Sequence, residues 1–252
     1  MKVAVISAKA DVTMQKLVEK KILKTYQTDR FGFIRPLMLM NELQAIADNH
    51  AEALGCGRSY CINHGIAWVV THYLIDICEL PREAEELTFT TWPSAQDALK
   101  AVRDFEIRGS DGRLMVRATS QWILIDIRQR RPLRLAEHLP AWDLFPERAL
   151  DRTFDKFPDF EVQKSHVMKC RYDDVDVNQH INNAVYAVWA TESTGFEFRN
   201  THRLCGLEIN FKKEISPDMP QVTVDVALGP KISRHKIRTG DTENANIICR
   251  WE

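Results

Sequence analysis

Residues 171–196 read RYDDVDVNQHINNAVYAVWATESTGF. Three aspartates, three asparagines and one histidine crowd between Asp173 and Asn183, and the thirteen residues that follow, Ala184–Phe196, contain no lysine or arginine. A helix on a protein surface needs a charged face, whereas one without basic residues is enclosed by other elements. The spacing of Val185, Val188, Trp189 and Phe196 predicts such a helix over Asn183–Phe198. On either side the pattern is extended. Val162–Tyr172 reads as a strand before the helix, and Leu204–Ile215, Gln221–Leu228, Lys231–Arg238 and Ala245–Trp251 read as strands after it. Thr239-Gly240-Asp241 marks the turn before the last strand.

The N-terminal half repeats this order. Ile22–Thr28 is a candidate strand. Leu37–Leu54 has Leu39, Leu43, Ile46, Ala47 and Leu54 near helical spacing, with Gly55 as a natural stop. Ala67–Leu80, Glu86–Pro93, Leu99–Arg108 and Leu114–Ile127 then read as strands, and Asp111-Gly112 marks a hairpin. A strand, a long helix and a run of antiparallel strands, seen twice, predicts an α+β fold. It is an internal duplication with two antiparallel sheets, each wrapped around a long helix. Between the halves, LPAWDLFPERALDRTFDKFPDF (139–160) has three prolines and no sustained period. It reads as a linker lying over the surface, pinned in part by Trp142, Phe145, Phe154 and Phe157. The expected organisation is an N-terminal module over 1–138, the linker over 139–160 and a C-terminal module over 161–252.

Composition limits the function. The chain has 252 residues, 44% of them hydrophobic, enough for two modules of this size. Lysine plus arginine (34) nearly balance aspartate plus glutamate (35), a net charge of -1 that gives no general attraction to nucleic acid or anionic membrane. No segment reaches the roughly 20 apolar residues needed to span a bilayer. The apolar run Val3–Ala8, within Met1–Met14, is too short for a secretory signal core, so the expected location is cytoplasmic. The six cysteines (Cys56, Cys61, Cys78, Cys170, Cys205, Cys249) form no CxxC pair and no His/Cys cluster with metal spacing. They are expected to be buried free thiols. No metal and no organic cofactor is expected.

The polar segment ahead of the helix is where chemistry is expected. Asp176, Asn178 and His180 alternate, so in an extended loop their side chains face one way. A helix N-terminus behind them offers unpaired N–H groups to an oxygen gaining negative charge. A plain polar loop with asparagine caps would show a similar composition.

Asp174–Ser193, DVDVNQHINNAVYAVWATES, closely resembles the Asp-x-Asn-x-His-x-x-Asn loop and following helix of the plant and bacterial acyl-acyl carrier protein (acyl-ACP) thioesterases. Ser120–Leu135, SQWILIDIRQRRPLRL, looks like the strand and basic tail that close their first module. Leu207–Pro217, LEINFKKEISP, looks like their second-module strand ending in a glutamate. The resemblance implies a tandem (double) hot-dog fold, with the hydrolytic site in the C-terminal module and an acyl-chain role for the N-terminal one. It implies hydrolysis of a fatty acyl thioester on acyl carrier protein, and it places the catalytic positions on Asp176, Asn178, His180 and Glu214.

The family often has a cysteine directly after that glutamate, and here Ile215 stands there. Direct attack by water is therefore the favoured chemistry. In that reading Glu214 is the general base, and His180 orients the water or protonates the leaving thiolate. Asn178 positions water or carbonyl, Asp176 holds both, and a backbone N–H near Ile181–Asn183 serves as oxyanion donor. Alternatives are an acyl-CoA thioesterase, a hot-dog dehydratase, or an acyl-binding module without catalysis.

Other residues compete for attention. Glu192 on the second helix is a rival acid, with a structural role as its plain alternative. Asn183 reads as a cap. In the first half, Asp29–Met38 (DRFGFIRPLM) lacks the asparagine and histidine, and Glu79 before Leu80-Pro81 is a faint echo of Glu214. Met38, Leu39, Leu43, Ile46, Trp68 and Val70 are candidates for shaping an acyl tunnel, or plain core. Arg128, Arg130, Arg131 and Arg134, with Lys212 and Lys213, could dock an acidic carrier protein, or could be a solvated strand end. The oligomeric expectation is a monomer or a homodimer.

Overall fold

The structure, a computed structural model, describes residues 16–252. The run Val3–Ala8 and the reading of the N-terminus built on it lie outside the described residues. The first half runs β1 (Leu17–Ile22), α1 (Pro36–Ala53), α2 (Arg58–His64), β2 (Ile66–Ile77), β3 (Glu86–Gln96), β4 (Lys100–Gly109), β5 (Leu114–Asp126), β6 (Pro132–Leu133) and the single turn α3 (Leu135–His138). The second half runs β7 (Lys164–Lys169), α4 (Asn183–Glu192), α5 (Phe196–Thr201), β8 (Leu204–Phe211), β9 (Gln221–Leu228), β10 (Ile232–Thr239) and β11 (Thr242–Trp251).

The two expected sheets are the two halves of one eleven-stranded antiparallel sheet, in the order β1-β3-β4-β5-β2-β8-β11-β10-β9-β7 with β6 beside β5. The order is symmetric about the β2/β8 seam, where Tyr73 faces Ile209 and Ile75 faces Leu207. Charges tie the seam on its outer side: Arg250 bridges Asp76 and Glu208, and Arg152 from the linker reaches the same two acids. Both helices lie on the inner face, against each other and against their own half-sheets, in one continuous core. Helix α1 buries Leu39, Leu43, Ile46 and Ala47, the stripe read from its spacing. Helix α4 is buried on nearly every side, from Ala184 through Thr191 apart from Val188. Truncating a fully buried side chain such as Leu43 or Ile46 to alanine costs about 2–5 kcal/mol.

Several elements depart from the sequence reading. The strand expected at Ile22–Thr28 ends at Ile22, and Thr25–Gln27 is a 3-10 turn. The Gln27 side chain closes this turn by accepting from the Lys24 N–H at 2.9 Å. The strand itself begins earlier, because the alternation of Leu17, Glu19 and Lys21 on its inner side is masked by charge. Likewise Val162–Tyr172 shortens to β7 and a 3-10 turn at Tyr172–Asp174.

The single helix expected over Asn183–Phe198 breaks after Glu192. The hydroxyls of Thr191, Ser193 and Thr194 accept roles as donors to Ala187, Ala190 and Thr191 carbonyls, and Gly195 takes φ +92. Side-chain donors that occupy the last carbonyls, followed by a left-handed glycine, end a helix. Helix α2 lies in a stretch not read as helical; Gly65 terminates it in the left-handed conformation.

The segment after α3 has no regular structure until β7 and is held across the sheet by single contacts. Trp142 packs on Trp68 with ring centroids 6.4 Å apart, and Phe154 on His72 at 5.3 Å. Phe145 N–H donates to Pro93 O at 2.9 Å, and Arg148 meets the buried Asp104 at 2.8 Å.

Candidate active site

The polar loop is a closed turn, not the extended run expected from alternation. Val175 and Ile181 form an isolated bridge at its neck. Inside it Asp176 N–H donates to His180 O at 2.9 Å, and Asp176 Oδ1 accepts from Asn178 N–H at 2.8 Å. An aspartate that bonds the backbone two residues on is a standard device for a tight turn. Gln179, at φ +61, turns the chain back toward α4. Asn178 Nδ2 lies 3.5 Å from Asp176 Oδ2, so Asp176 steers that amide while also holding the backbone. Asn182, rather than Asn183, is the cap: its Oδ1 accepts from Ala184 N–H at 2.8 Å.

Glu214 lies just beyond β8 and is aimed by its neighbours. Lys212 and Lys213 N–H groups donate to Asn244 O at 2.8 and 3.1 Å, and the buried Asn244 amide donates back to Lys213 O at 3.2 Å. Ile215, fully buried, accepts at its carbonyl from Ile181 N–H at 3.2 Å. This bond joins the acid's segment directly to the polar loop. The result is a contact between His180 Nε2 and Glu214 Oε1 at 3.2 Å, with both side chains about one-third exposed, at 32% and 39%.

A third group comes from the other half. Arg130 lies in the turn between β5 and β6, at φ +56. Asp126 shapes that turn by accepting from Arg128 and Gln129 N–H groups at 2.8 and 2.7 Å. The Arg130 guanidinium pairs with Glu214 Oε1, the same oxygen that His180 meets. The site is therefore composite. Partial burial pushes the His180 pKa below the ordinary histidine value, and the Arg130 charge pushes it further the same way; Asp176 opposes them. A neutral imidazole at neutral pH follows, with Nε2 free to donate to the carboxylate.

Of the four residues expected to act, the structure brings His180 and Glu214 into contact and sets Asp176 and Asn178 on the same loop. Of the expected oxyanion donors, Ile181 N–H is spent on Ile215 O, and Asn182 N–H on Asp174 O at 2.8 Å. That leaves Asn183 N–H, at the first turn of α4, as the candidate. The rival Glu192 faces elsewhere, paired with Arg199. Arg130 entered the sequence reading only as part of a basic run, and Asn244 did not enter at all. The one sequence signal for the first was an aspartate, Asp126, ahead of the basic run; the second had none.

All six cysteines are free; Cys56, Cys61 and Cys249 are buried, Cys170 and Cys205 half-buried, and Cys78 exposed, so the expected burial holds for only part of the set. Burial pushes the Cys56 and Cys61 thiols up to about 11 and Cys249 to about 12, and raises Cys170 and Cys205. None of these five is an activated nucleophile. Of the basic run, Arg134 pairs with Glu137 and Lys212 with Glu243, while Arg128, Arg131 and Lys213 remain exposed.

Beneath α1 in the first half is a small cavity of about 50 Å³ walled by Ala47, Trp68, Trp122 and Trp142, with Arg103 at its side. Of the residues considered for an acyl tunnel, Trp68 lines it; Leu43, Ile46 and Val70 are buried core. Arg103 Nη1 donates to His50 Nδ1 at 2.9 Å, and burial lowers the Arg103 pKa to about 10 and raises that of Asp48 to about 6.

The first half carries a second copy of the loop scaffold. Thr28 bridges Ile34 as Val175 bridges Ile181. Asp29 N–H donates to Phe33 O at 2.7 Å, and Asp29 Oδ1 accepts from Phe31 N–H at 2.8 Å. Ile34 N–H donates to Pro81 O at 2.9 Å. In this register Asp29 matches Asp176, Phe31 matches Asn178, Phe33 matches His180 and Leu80 matches Glu214. Glu79, the expected echo, is one residue out of register and pairs with Arg113.

Set against known proteins, residues 15–141 match the family model described as the acyl-ACP thioesterase N-terminal domain, and residues 158–252 match that of the C-terminal domain. An acyl-[acyl-carrier-protein] hydrolase of Cuphea viscosissima is 28% identical over 84% of this chain and 57% of its own length. An oleoyl-acyl carrier protein thioesterase of Arabidopsis thaliana is 26% identical over 79% of this chain and 60% of its own. Both are chloroplastic, and the chain spans roughly half to three-fifths of the curated relatives it matches. Among solved structures, a Lactobacillus plantarum protein provisionally assigned as an oleoyl thioesterase superposes with TM-score 0.83 at 25% identity, covering 94% of this chain and 96% of that one. The 12:0-ACP thioesterase of Umbellularia californica superposes at 0.80 and 19% identity, covering 94% and 97%. The second of these shows the shared fold, the double hot-dog.

Proposed function

Because the chain belongs to the acyl-ACP thioesterase family, we propose that it hydrolyses the thioester of a fatty acyl-ACP, releasing free fatty acid and acyl carrier protein. The observation that carries the reading is the Glu214–His180 contact at 3.2 Å, on a loop that also presents Asn178, with Ile215 where a thiol nucleophile would stand.

Water is the nucleophile. His180 and Arg130 both engage Glu214 Oε1, so Oε2 is the oxygen that meets the water. Glu214 takes one water proton as the water oxygen bonds to the thioester carbon. The carbonyl oxygen gains negative charge and is met by the Asn178 amide and Asn183 N–H, at the positive end of α4. Collapse of this intermediate breaks the carbon–sulfur bond, and the proton held at the Glu214–His180 pair passes to the departing thiolate. Asp176 keeps Asn178 in position, and Arg130 keeps Glu214 facing the imidazole. No step uses a metal or an organic cofactor. The exposed Arg128, Arg131 and Lys213 beside this mouth suit docking of an acidic carrier protein. Among the described residues no helix is long and apolar enough to cross a membrane.

The test is turnover on a panel of acyl-ACPs of graded chain length, with matched acyl-CoAs and thiol release as the readout. Thiol release from acyl-ACP that is lost in His180→Ala supports the reading. Turnover confined to acyl-CoA, or conversion without free thiol, overturns it.

A further inference from the structure

The symmetric sheet carries two copies of the loop, and the copy in the first half borders a crevice suited to binding. At the mate of the hydrolytic loop, a cavity of about 430 Å³ opens between the first-half loop, α4, α5 and the end of β11. Its wall is apolar, formed by Leu39, Leu80, Val188, Leu204 and Trp251. Leu80 stands where the other copy has Glu214, so this crevice has hydrocarbon where the other loop meets a carboxylate.

The rim is cationic. Arg171 and Arg199 are neutralised by Asp174 and Glu192. Arg30, Arg35 and Arg203 line the same cavity and, among the described residues, form no ion pair with a carboxylate. Arg30 donates only to the Asn200 side-chain oxygen at 3.3 Å, and Arg203 only to the carbonyls of Arg199 and His202 at 3.2 and 3.4 Å. Both guanidiniums stack on the same ring, Phe31, at 5.2 and 4.3 Å from its centroid. Asp29, which lines the same cavity, has its Oδ1 committed to the N–H groups of Phe31 and Phe33. Two positive charges held on one exposed aromatic edge, over an apolar wall, are complementary to an anionic head with a hydrocarbon tail.

We propose that this crevice binds a fatty carboxylate, with the head between Arg30 and Arg203 and the chain along Leu80, Val188 and Leu204. That such a ligand is also the enzyme's own product rests on the function proposed above; the site itself does not.

The experiment titrates the full chain with decanoate below its micellar concentration, by calorimetry, beside uncharged decanol. Binding at least tenfold weaker in Arg30→Gln/Arg203→Gln, restored to within threefold in Arg30→Lys/Arg203→Lys, and at least tenfold weaker for decanol, is the expected result. Leu80→Glu, which places a carboxylate on the wall, weakens decanoate binding in the same way while leaving the rim intact. Decanoate binding within twofold of wild type in the double Gln variant, or equal affinity for decanol, overturns the site. The two readings separate cleanly. Arg-dependent decanoate binding in a protein without acyl-ACP turnover removes the proposed reaction and keeps the site. Turnover with Arg-independent binding does the reverse.

Discussion

The loops Thr28–Ile34 and Val175–Ile181 share a backbone and differ in chemistry. Each is closed by one bridge, held by an aspartate that accepts from the N–H two residues on, and anchored by a buried isoleucine to the segment just past the end of β2 or β8. Each turns through a residue with positive φ, Gly32 at +78 and Gln179 at +61. What differs is the cargo. One loop presents asparagine and histidine to a glutamate, and the other presents two phenylalanines to a leucine. The comparison shows that the aspartate belongs to the turn in both copies, whatever side chains the turn carries. The scaffold is indifferent to the side chains it carries, so the two modules can differ in chemistry without differing in fold.

The largest expected effect falls on Glu214, whose counterpart in the first half, Leu80, has no group that could take a proton. Glu214→Gln should lower kcat by about a thousandfold, within the range for loss of a general base. Its melting temperature should stay within a few degrees of wild type, because the side chain is 39% exposed. The mate substitution Leu80→Ala should leave kcat within twofold. A Glu214→Gln enzyme at near-normal turnover would remove the glutamate from the chemistry.

The paired aspartates come next. Asp176→Ala should cost about 10–100-fold in kcat, since it loosens Asn178 as well as the turn. Asp29→Ala, which breaks the same backbone bonds, should cost about 1 kcal/mol in denaturant unfolding and leave kcat within twofold. Equal kinetic losses in the two variants would mean that the turn alone, not its cargo, limits the rate.

Arg130→Ala tests the reach of the first half into the second. Partial burial and the Arg130 charge hold the His180 pKa below its ordinary value. The imidazole therefore stays neutral as pH falls until that lowered value is passed, and the rate should decline only below it. Removing the guanidinium lets the pKa rise, so the acid limb of kcat/KM should move to higher pH, with the plateau lowered by less than about tenfold. An unmoved limb would disconnect Arg130 from the imidazole. The last contrast is conformational and touches stability alone: Gly32→Ala should cost about 1–2 kcal/mol for a Cβ at positive φ, whereas Gln179→Ala, already non-glycine, should be nearly neutral.

Much of this was legible before folding. The lysine-free, arginine-free helix announced its burial, and the crowding of aspartate, asparagine and histidine before it announced a specialised loop. Asp111-Gly112 and Thr239-Gly240-Asp241 marked two of the hairpins, β4–β5 and β10–β11, with Gly112 at φ +82 and Gly240 at +57. Three readings failed for local physical reasons. Alternation at Asp176, Asn178 and His180 suggested an extended run, but an aspartate side chain competing for backbone N–H groups made a turn. The hydroxyls of Thr191, Ser193 and Thr194 cut the helix that apolar spacing prolonged. The match of Asp29 to Asp176 was hidden because, between the aspartate and the shared isoleucine, the four intervening residues have nothing in common.

Periodicity, turn residues and composition depend on neighbours a few positions apart, so the repeat, the central helices and the polar loop could be read along the chain. The joining of two half-sheets at β2 and β8, the arrival of Arg130 at Glu214 from 84 positions away (214 − 130), and the gathering of Arg30 and Arg203 on one phenylalanine belong to the folded chain alone. Those contacts follow from how one twisted sheet brings its two ends around a shared core, and no local pattern encodes that distance.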